Sequence, residues 1–389
     1  MDKAREGRIK KICAAVNSGQ FGGANKDALQ YFGGGVDRRV RRFSSGHPSI
    51  DDALGGGWPI GRVIEVYGPE SGGKTTACLH AVAEHQMAFP DEDIAFIDVE
   101  HSLDQEYAEA LGVDLEPLMI CQPESGEQAV NVLRQLIALG VKLIVVDSVA
   151  ALTTTNEMGG DIGDDHMAER ARLMNRTLRM ITADAGKRGC TVFFTNQIYE
   201  KIGVTYGEKT TTPGGRALKF YASVRAEIRR IGSEKESAAD DADVVGAKTK
   251  FTVKKNKTAP PFRVATITLT FGVGFDRVIG VLDAAVDAKV VQKRGSWFSF
   301  GDEQLMQGRS NTVAYLRDDE EMFARISTAL DEYRAANPKG KAKGKAKGKA
   351  APAKDSAEPE GKPDFKRPKG NDVARSPVKD KADVRVSDV

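Results

Sequence analysis

The 389-residue sequence is poor in cysteine, and its four, Cys13, Cys78, Cys121 and Cys190, include no C-x-x-C pair. That spacing argues against a zinc finger, a redox dithiol or a disulfide framework, and leaves buried thiols as the plain expectation. No apolar run approaches the roughly 18 residues that a membrane-spanning helix requires. The residues after Met1 (DKAREGRIK) offer no apolar core of a secretory signal. A cytoplasmic chain with no membrane partner is therefore expected. An excess of one charge is also lacking, because 57 Lys and Arg balance 55 Asp and Glu to a net +2. The balance is uneven along the chain: beyond residue 338, 15 Lys and Arg face 8 Asp and Glu, so that the tail carries +7 and residues 1–338 carry −5. Nucleic-acid binding by the folded part must then rest on local loops, since its net charge repels phosphate.

What is present is an alternation of short β-rich runs and helix-period segments. RVIEVY at 62–67, IAFID at 94–98, LIVVD at 143–147 and TVFFT at 191–195 read as strands. Residues 75–88, 126–139 and 167–187 are long enough to be the crossover helices between them. The class is α/β with a mostly parallel central sheet. After residue 276 smaller strands and helices alternate, which predicts an appended α/β lobe. The first 35 residues combine a basic amphipathic helix with a Gly-rich connector. Such a helix cannot cover its own apolar stripe, and packs either on its own core or on a neighbouring copy.

One motif carries chemistry. GPESGGKT at 68–75 satisfies GxxxxGK followed by Ser or Thr, after one strand and opening one helix. Here the loop of Gly68, Pro69, Glu70, Ser71, Gly72 and Gly73, with the helix start through Thr76, is expected to curl its backbone N–H groups, which Pro69 alone lacks, around phosphates. Lys74 reaches the β- and γ-phosphates and Thr75 ligates Mg²⁺. ATP and Mg²⁺ are the implied ligands. Asp147 ends an apolar strand where a second carboxylate completes the Mg²⁺ shell; alone it reads equally as a turn former. Glu100 follows the preceding strand and has the chemistry to activate water; by pattern alone it is as readily an exposed loop acid.

The P-loop together with VEHSLDQEY at 99–107, VVDSVAAL at 145–152, IGDDH at 162–166, TNQI at 195–198, ALKFYASVR at 217–225 and KNK at 255–257 resembles the bacterial RecA recombinases over about residues 37–335. The resemblance implies a RecA-type P-loop ATPase core at 37–276, a small oligomerisation segment at 1–36, a C-terminal lobe at 277–335 and, from composition, a disordered basic tail at 336–389. It implies that Glu100 is the catalytic base, that Asp104 and Tyr107 contact adenine, and that Asp147 is the acidic Mg²⁺ partner. Gln197 would sense the γ-phosphate, and Lys255 and Lys257 would reach the ATP of an adjacent subunit, as an arginine finger does.

Two Gly-rich stretches, 157–165 and 198–216, would be the DNA loops. Gly160, Ile162 and Gly163 lie in the first, and Ile202, Gly203, Val204, Tyr206, Gly214 and Gly215 in the second. Small residues let the backbone follow phosphates, while the larger ones stack on or wedge between bases without reading sequence. Residue types alone leave these as ordinary loops. Arg172, Arg179 and Arg225 also match family positions near DNA, though by type alone each reads as a solvated or ion-paired arginine.

The expected function is a DNA-dependent ATPase that forms helical homo-polymers on single strands, pairs them with double-stranded DNA and exchanges strands in repair. A co-protease role toward a repressor of the SOS type accompanies it. A non-hydrolysing DNA-coating protein would not need Glu100, Gln197 or the lysine pair. A ring helicase lacks that pair in this context. Departures from the family pattern are Gly72 for serine, Tyr199 for a basic residue, Phe271 for tyrosine, and a basic tail in place of an acidic one.

The tail yields a test. Residues 339–349 hold six lysines in eleven positions, and a flexible polycation binds duplex DNA with an affinity whose log falls with log salt by about 0.9 per phosphate neutralised. Truncation after Pro338 is expected to reduce the salt slope of duplex binding by several units, read by titration of both proteins. Equal slopes would show an inert tail.

Overall fold

The computed structural model describes residues 2–18, 29–34, 39–160, 167–200, 210–235 and 243–337. Its centre is a nine-stranded sheet among the described residues. In chain order the strands are β1 (Val63–Gly68), β2 (Ile94–Asp98), β3 (Leu118–Cys121), β4 (Leu143–Asp147), β5 (Thr191–Gln197), β6 (Val224–Lys235), β7 (Val244–Asn256), β8 (Val264–Thr270) and β9 (Gly274–Phe275). Their spatial order is β9-β8-β7-β6-β1-β5-β4-β2-β3. The six strands from β6 to β3 run parallel. From β6 outward to β9 the pairing is antiparallel.

The helices in chain order are α1 (Lys3–Asn17), α2 (Pro48–Leu54), α3 (Lys74–Ala88), α4 (Gln105–Ala110), α5 (Gly126–Leu139), α6 (Thr155–Gly159), α7 (Met167–Arg188), α8 (Ala217–Tyr221), α9 (Arg277–Asp287), α10 (Arg309–Asp318) and α11 (Glu320–Ala336). Strands in mid-sheet read as continuous apolar runs because helices cover both faces. Alternate residues divide between two cores. Ile64, Val66, Phe96, Val145 and Phe193 meet Ala77, Leu79 and Val82 of α3 on one face. Val63, Ile97, Ile144 and Phe194 meet Leu133 and Ile137 of α5 and Met174, Leu178 and Ile181 of α7 on the other. The three- and four-residue spacing within α5 and α7 is the helical stripe read from sequence. Ser125 caps α5 by accepting from Gln128 N–H at 3.2 Å. Trp58 closes one end of the first core, edge-on to Phe193 at 5.0 Å and to Phe251 at 6.0 Å.

The four strands expected from sequence are present, within a residue or two of their anticipated bounds. The edge strand β3 and the ribbon β6–β7 had weaker signals. β3 is short and only partly covered, and the outer half of β6 is largely exposed and rich in charged and small residues. α1 buries none of its residues on its own chain, and Ile12 and Val16 stay exposed.

After β9 a third core forms from Leu282, Phe298, Leu316, Ile326 and Leu330. It lies between α9, α10, α11 and an antiparallel sheet of β10 (Val291–Arg294), β11 (Trp297–Phe300) and β12 (Glu303–Gln307). Asp276 caps α9 by accepting from Ile279 N–H at 3.0 Å, and pairs with Arg317 of α10. Arg334 of α11 donates to the Pro48 carbonyl of α2 at 3.1 Å. Between these anchors α9 passes against His47, a buried ring that burial pushes down to about 4, so that its neutral Nδ1 accepts from Ser49 N–H at 3.2 Å.

Gly280 is the point of closest approach. An added Cβ would lie 2.5 Å from His47 Nε2. In a free helix Gly→Ala gains roughly 0.5–1 kcal/mol, whereas overpacking a closed site costs about 1–3 kcal/mol. The enclosed ring makes the second effect larger. Gly280→Ala is expected to lower the melting temperature, measured by thermal denaturation; a rise would show that His47 yields.

Candidate functional site

The P-loop leaves β1 at Gly68 and enters α3 at Lys74. Only glycine fits at its first position, since a Cβ on Gly68 would sit 1.9 Å from the Ile228 carbonyl oxygen of β6. Gly73, at φ +95°, turns the chain into the helix without a side-chain cap. The first-turn N–H groups of α3 are thereby left to an anion. Gly72, the departure from serine, lies where a Cβ would stand 3.1 Å from both the Ile228 and Pro69 carbonyl oxygens. That is tight enough for a small residue to suit the turn.

Lys74 Nζ donates to the Pro69 carbonyl at 2.9 Å. Burial pushes its ammonium down, against the opposing pull of Asp147, Glu100 and Glu70. Asp147 gathers the rest of the cluster. Its Oδ2 accepts from the Thr75 hydroxyl at 2.7 Å and its Oδ1 from the Thr195 hydroxyl. The Asp147 carbonyl accepts from the N–H groups of Val99 and Glu100 at 2.7 and 3.2 Å. The Ser148 hydroxyl donates to the Glu100 carboxylate. Glu100 is in this way brought to the same sheet edge as Lys74, Thr75 and Asp147.

The oxygen set of Thr75 and Asp147 suits a small hard cation. No group of three or more His, Cys, Asp or Glu able to hold an ion occurs among the described residues. Sequence reasoning missed Thr195 and Asp98. Asp98 stands beside Asp147 in register, is buried, and accepts from the N–H groups of Ser102 and Leu103 and from Gln122 at 3.1–3.2 Å. It shapes the turn that follows Glu100. Its only sequence signal is its place at a strand end matching that of Asp147.

Asp104 caps α4, accepting from Tyr107 N–H at 3.1 Å, and the Tyr107 hydroxyl meets the Thr76 hydroxyl at 3.0 Å. Both thus stand beside the P-loop helix. Phe271 is exposed beyond β8. Gln197, the last residue of β5, faces Gly68 in register.

Lys255 and Lys257 go elsewhere. Lys255 Nζ donates to the carbonyls of Lys219 and Phe220 at 2.6 and 3.0 Å, and Lys257 Nζ to that of Phe220 at 3.1 Å, all at the end of α8. Burial, then Lys257 and Arg225, push Lys255 down to about 8.

Of the DNA candidates, Arg172 and Arg179 are exposed on α7, two helical turns apart, and Gly160 is exposed at the end of α6. Gly214 and Gly215 press against Met174 and Ala171 of α7. Tyr199 is exposed just after Gln197. Arg225 is not with them. It is 8% exposed, paired with Glu65 and stacked over Tyr67 at 4.5 Å, so the expectation of a DNA-facing guanidinium does not fit its placement. Ile162, Gly163, Ile202, Gly203, Val204 and Tyr206 lie outside the described residues, as does the tail from residue 338; α11 runs to Ala336, one residue into the segment expected to be tail. A cavity of about 610 Å³ between α2 and α11, lined by Asp51, Arg263 and Tyr333 among others, contains none of the candidates.

The RecA N-terminal domain family matches residues 10–276 and the RecA C-terminal domain family residues 280–334. The chain belongs to the RecA family. It is 46% identical over 310 residues to Protein RecA of Arthrospira platensis, covering 78% of this chain and 83% of the relative. To Protein RecA of Nostoc punctiforme it is 47% identical over 308 residues, covering 79% and 84%. To Protein RecA of Halalkalibacterium halodurans it is 46% identical over 320 residues, covering 82% and 89%. RecA-family membership makes the chain a recombinase of DNA repair that binds ATP and DNA. No described helix is long and apolar enough to cross a membrane.

Asp147 offers a test of the cluster. Burial holds its carboxyl above the usual range, with the Thr195 and Thr75 hydroxyls opposing that shift. A raised folded pKa contributes stability that is complete below the unfolded value, about 3.9, and is lost as pH rises through the folded value. Asp147→Asn is therefore expected to gain melting temperature over the parent between about pH 4 and 7 in nucleotide-free protein. It is also expected to lose Mg²⁺-dependent nucleotide retention. Thermal melts at both pH values check the sign; an advantage that shrinks with rising pH would contradict it.

Proposed function

We propose that the chain is a DNA-dependent ATPase that polymerises on single-stranded DNA, pairs it with duplex and exchanges strands, with each hydrolytic site completed by the neighbouring copy. The observation that carries this reading is a separation within one chain: Glu100, Lys74, Thr75 and Asp147 gather at one sheet edge, while Lys255 and Lys257 bond to α8.

In the proposed mechanism the P-loop N–H groups and Lys74 bind the phosphates, and Asp104 and Tyr107 flank the base. Thr75 and Asp147 would hold Mg²⁺, which when bound offsets the charge on the phosphate oxygens. Glu100 orients water and takes its proton, with Ser148 fixing the carboxylate. Lys255 and Lys257 leave α8 and stabilise transition-state charge on the ATP of the adjacent copy. Gln197 carries nucleotide state to the 198–216 segment. Arg172, Arg179 and the two Gly-rich segments track the DNA backbone. α1, within the proposed oligomerisation segment 1–36, docks its uncovered apolar residues on the next copy. The assembled surface would also receive a repressor of the SOS type, and the protein would act in the cytoplasm.

Turnover with and without single-stranded DNA tests the reading, and two substitutions divide binding from chemistry. Lys74→Ala is expected to lose ATP binding and turnover together. Glu100→Gln is expected to keep ATP and stay on DNA while turnover falls by about 10² or more. Hydrolysis by Glu100→Gln at the parent rate would remove the base from this role.

A further inference from the structure

One buried carboxylate takes no part in the chemistry assigned above. Glu65 lies in the middle of β1 and is 0% exposed. Its Oε2 accepts from Arg225 Nε, and its Oε1 from the Asn196 amide at 3.1 Å. Arg225 stands opposite Glu65 on β6 and, across its other edge, opposite Lys255 on β7. Asn196, also fully buried, donates a second bond to the Pro213 carbonyl at 3.1 Å and accepts from Gln197 N–H at 3.1 Å. A single carboxylate thus touches groups that reach the candidate sensor, the end of the 198–216 segment and the lysine strand.

Stability alone does not call for such a hub. Two desolvated charges recover their cost only with good geometry, and apolar side chains of the same volume commonly hold strands together as well or better. What apolar side chains lack is direction. A carboxylate with two occupied oxygens fixes where a guanidinium and an amide point, and through them where Gln197 and the Pro213 backbone sit.

We infer that Glu65 is a positioning residue for the ATPase cycle, holding Arg225 beside Lys255 and Asn196 against Gln197 and Pro213, so that the nucleotide strand, the sensor and the lysine strand keep one mutual register. This rests on the proposed function. It adds a residue that touches neither nucleotide nor DNA and acts through its partners.

The charge around Lys255 supplies a readout that mere structural support would not move. Lys255 is faced by Lys257 just past the end of its own strand, Arg225 on β6, Glu65 on β1 and the two carbonyls of α8. Burial is the main cause of its lowered value, Lys257 and Arg225 add to it, and Glu65 opposes them. Without the Glu65 charge, Arg225 acts on Lys255 uncompensated, and Lys255 loses its proton at lower pH.

The test uses full-length Glu65→Gln and the double variant Glu65→Gln/Arg225→Met, with melting temperature, ATP KM and kcat with and without single-stranded DNA, and the pH profile of kcat. Glu65→Gln is expected to keep KM for ATP within about 3-fold while DNA-stimulated kcat falls about 10-fold or more. The alkaline limb of its profile moves to lower pH. The double variant, with no stranded charge, is expected to regain melting temperature and the position of the alkaline limb but not the DNA stimulation. If Glu65→Gln does not fold, the double variant decides alone. Should the double variant regain full DNA-stimulated kcat, or Glu65→Gln match the parent in kcat and profile, the pair is a structural ion pair and the inference falls. A parent protein without DNA-stimulated turnover overturns the proposed function itself, and the inference with it.

Discussion

The Asp147 carboxylate, held between the hydroxyls of Thr75 and Thr195, is the contact on which the site is built. It joins the first turn of α3 to the end of β4 and to β5. Its backbone carbonyl then receives the N–H groups that lead into Glu100. Burying a carboxylate without a cation opposes folding. The cost is tolerable because both oxygens are hydrogen-bonded and because parallel strands end together at one edge, where helix N-termini also point. The P-loop geometry follows from the same constraint: β1 and β6 lie so close behind it that Gly68 has no room for a side chain.

Legibility in the sequence tracked how local each signal was. GPESGGKT fixed both the residues and their place between β1 and α3, and Asp147 followed from an apolar strand with an acid at its end. Thr195 and Asp98 were not legible, because a hydroxyl inside a strand and an acid at a strand end have common structural uses. Arg225 was read toward DNA from its motif, while its actual partner Glu65 is 160 residues away along the chain, beyond the reach of any periodicity. β3 escaped notice for a physical reason as well, since an edge strand needs no continuous apolar run. The α/β class and the appended lobe were visible because strand and helix periods differ, whereas the antiparallel half of the sheet offered mixed, half-exposed strands.

Charge is arranged against simple attraction. Residues 1–338 carry −5, so under the proposed function DNA contact would rest on exposed arginines such as Arg172 and Arg179 and on small-residue segments, rather than on a basic surface. The +7 tail lies outside that economy of local contacts. Within the fold, most buried charges are consumed internally: Asp276 by Arg317, Glu65 by Arg225.

The bonding of Lys255 and Lys257 to α8, while Glu100 gathers with the P-loop, has a genetic consequence under the proposed arrangement. A copy lacking the lysines would spoil the site of one neighbour while its own remained serviceable; a copy lacking Glu100 would spoil only its own. Mixed in one polymer, the two defective types would complement each other wherever the order of copies set an intact base against intact lysines. Mixed with the normal protein, neither type would disable more than one site per defective copy, because each copy gives its base to one junction and its lysines to the other.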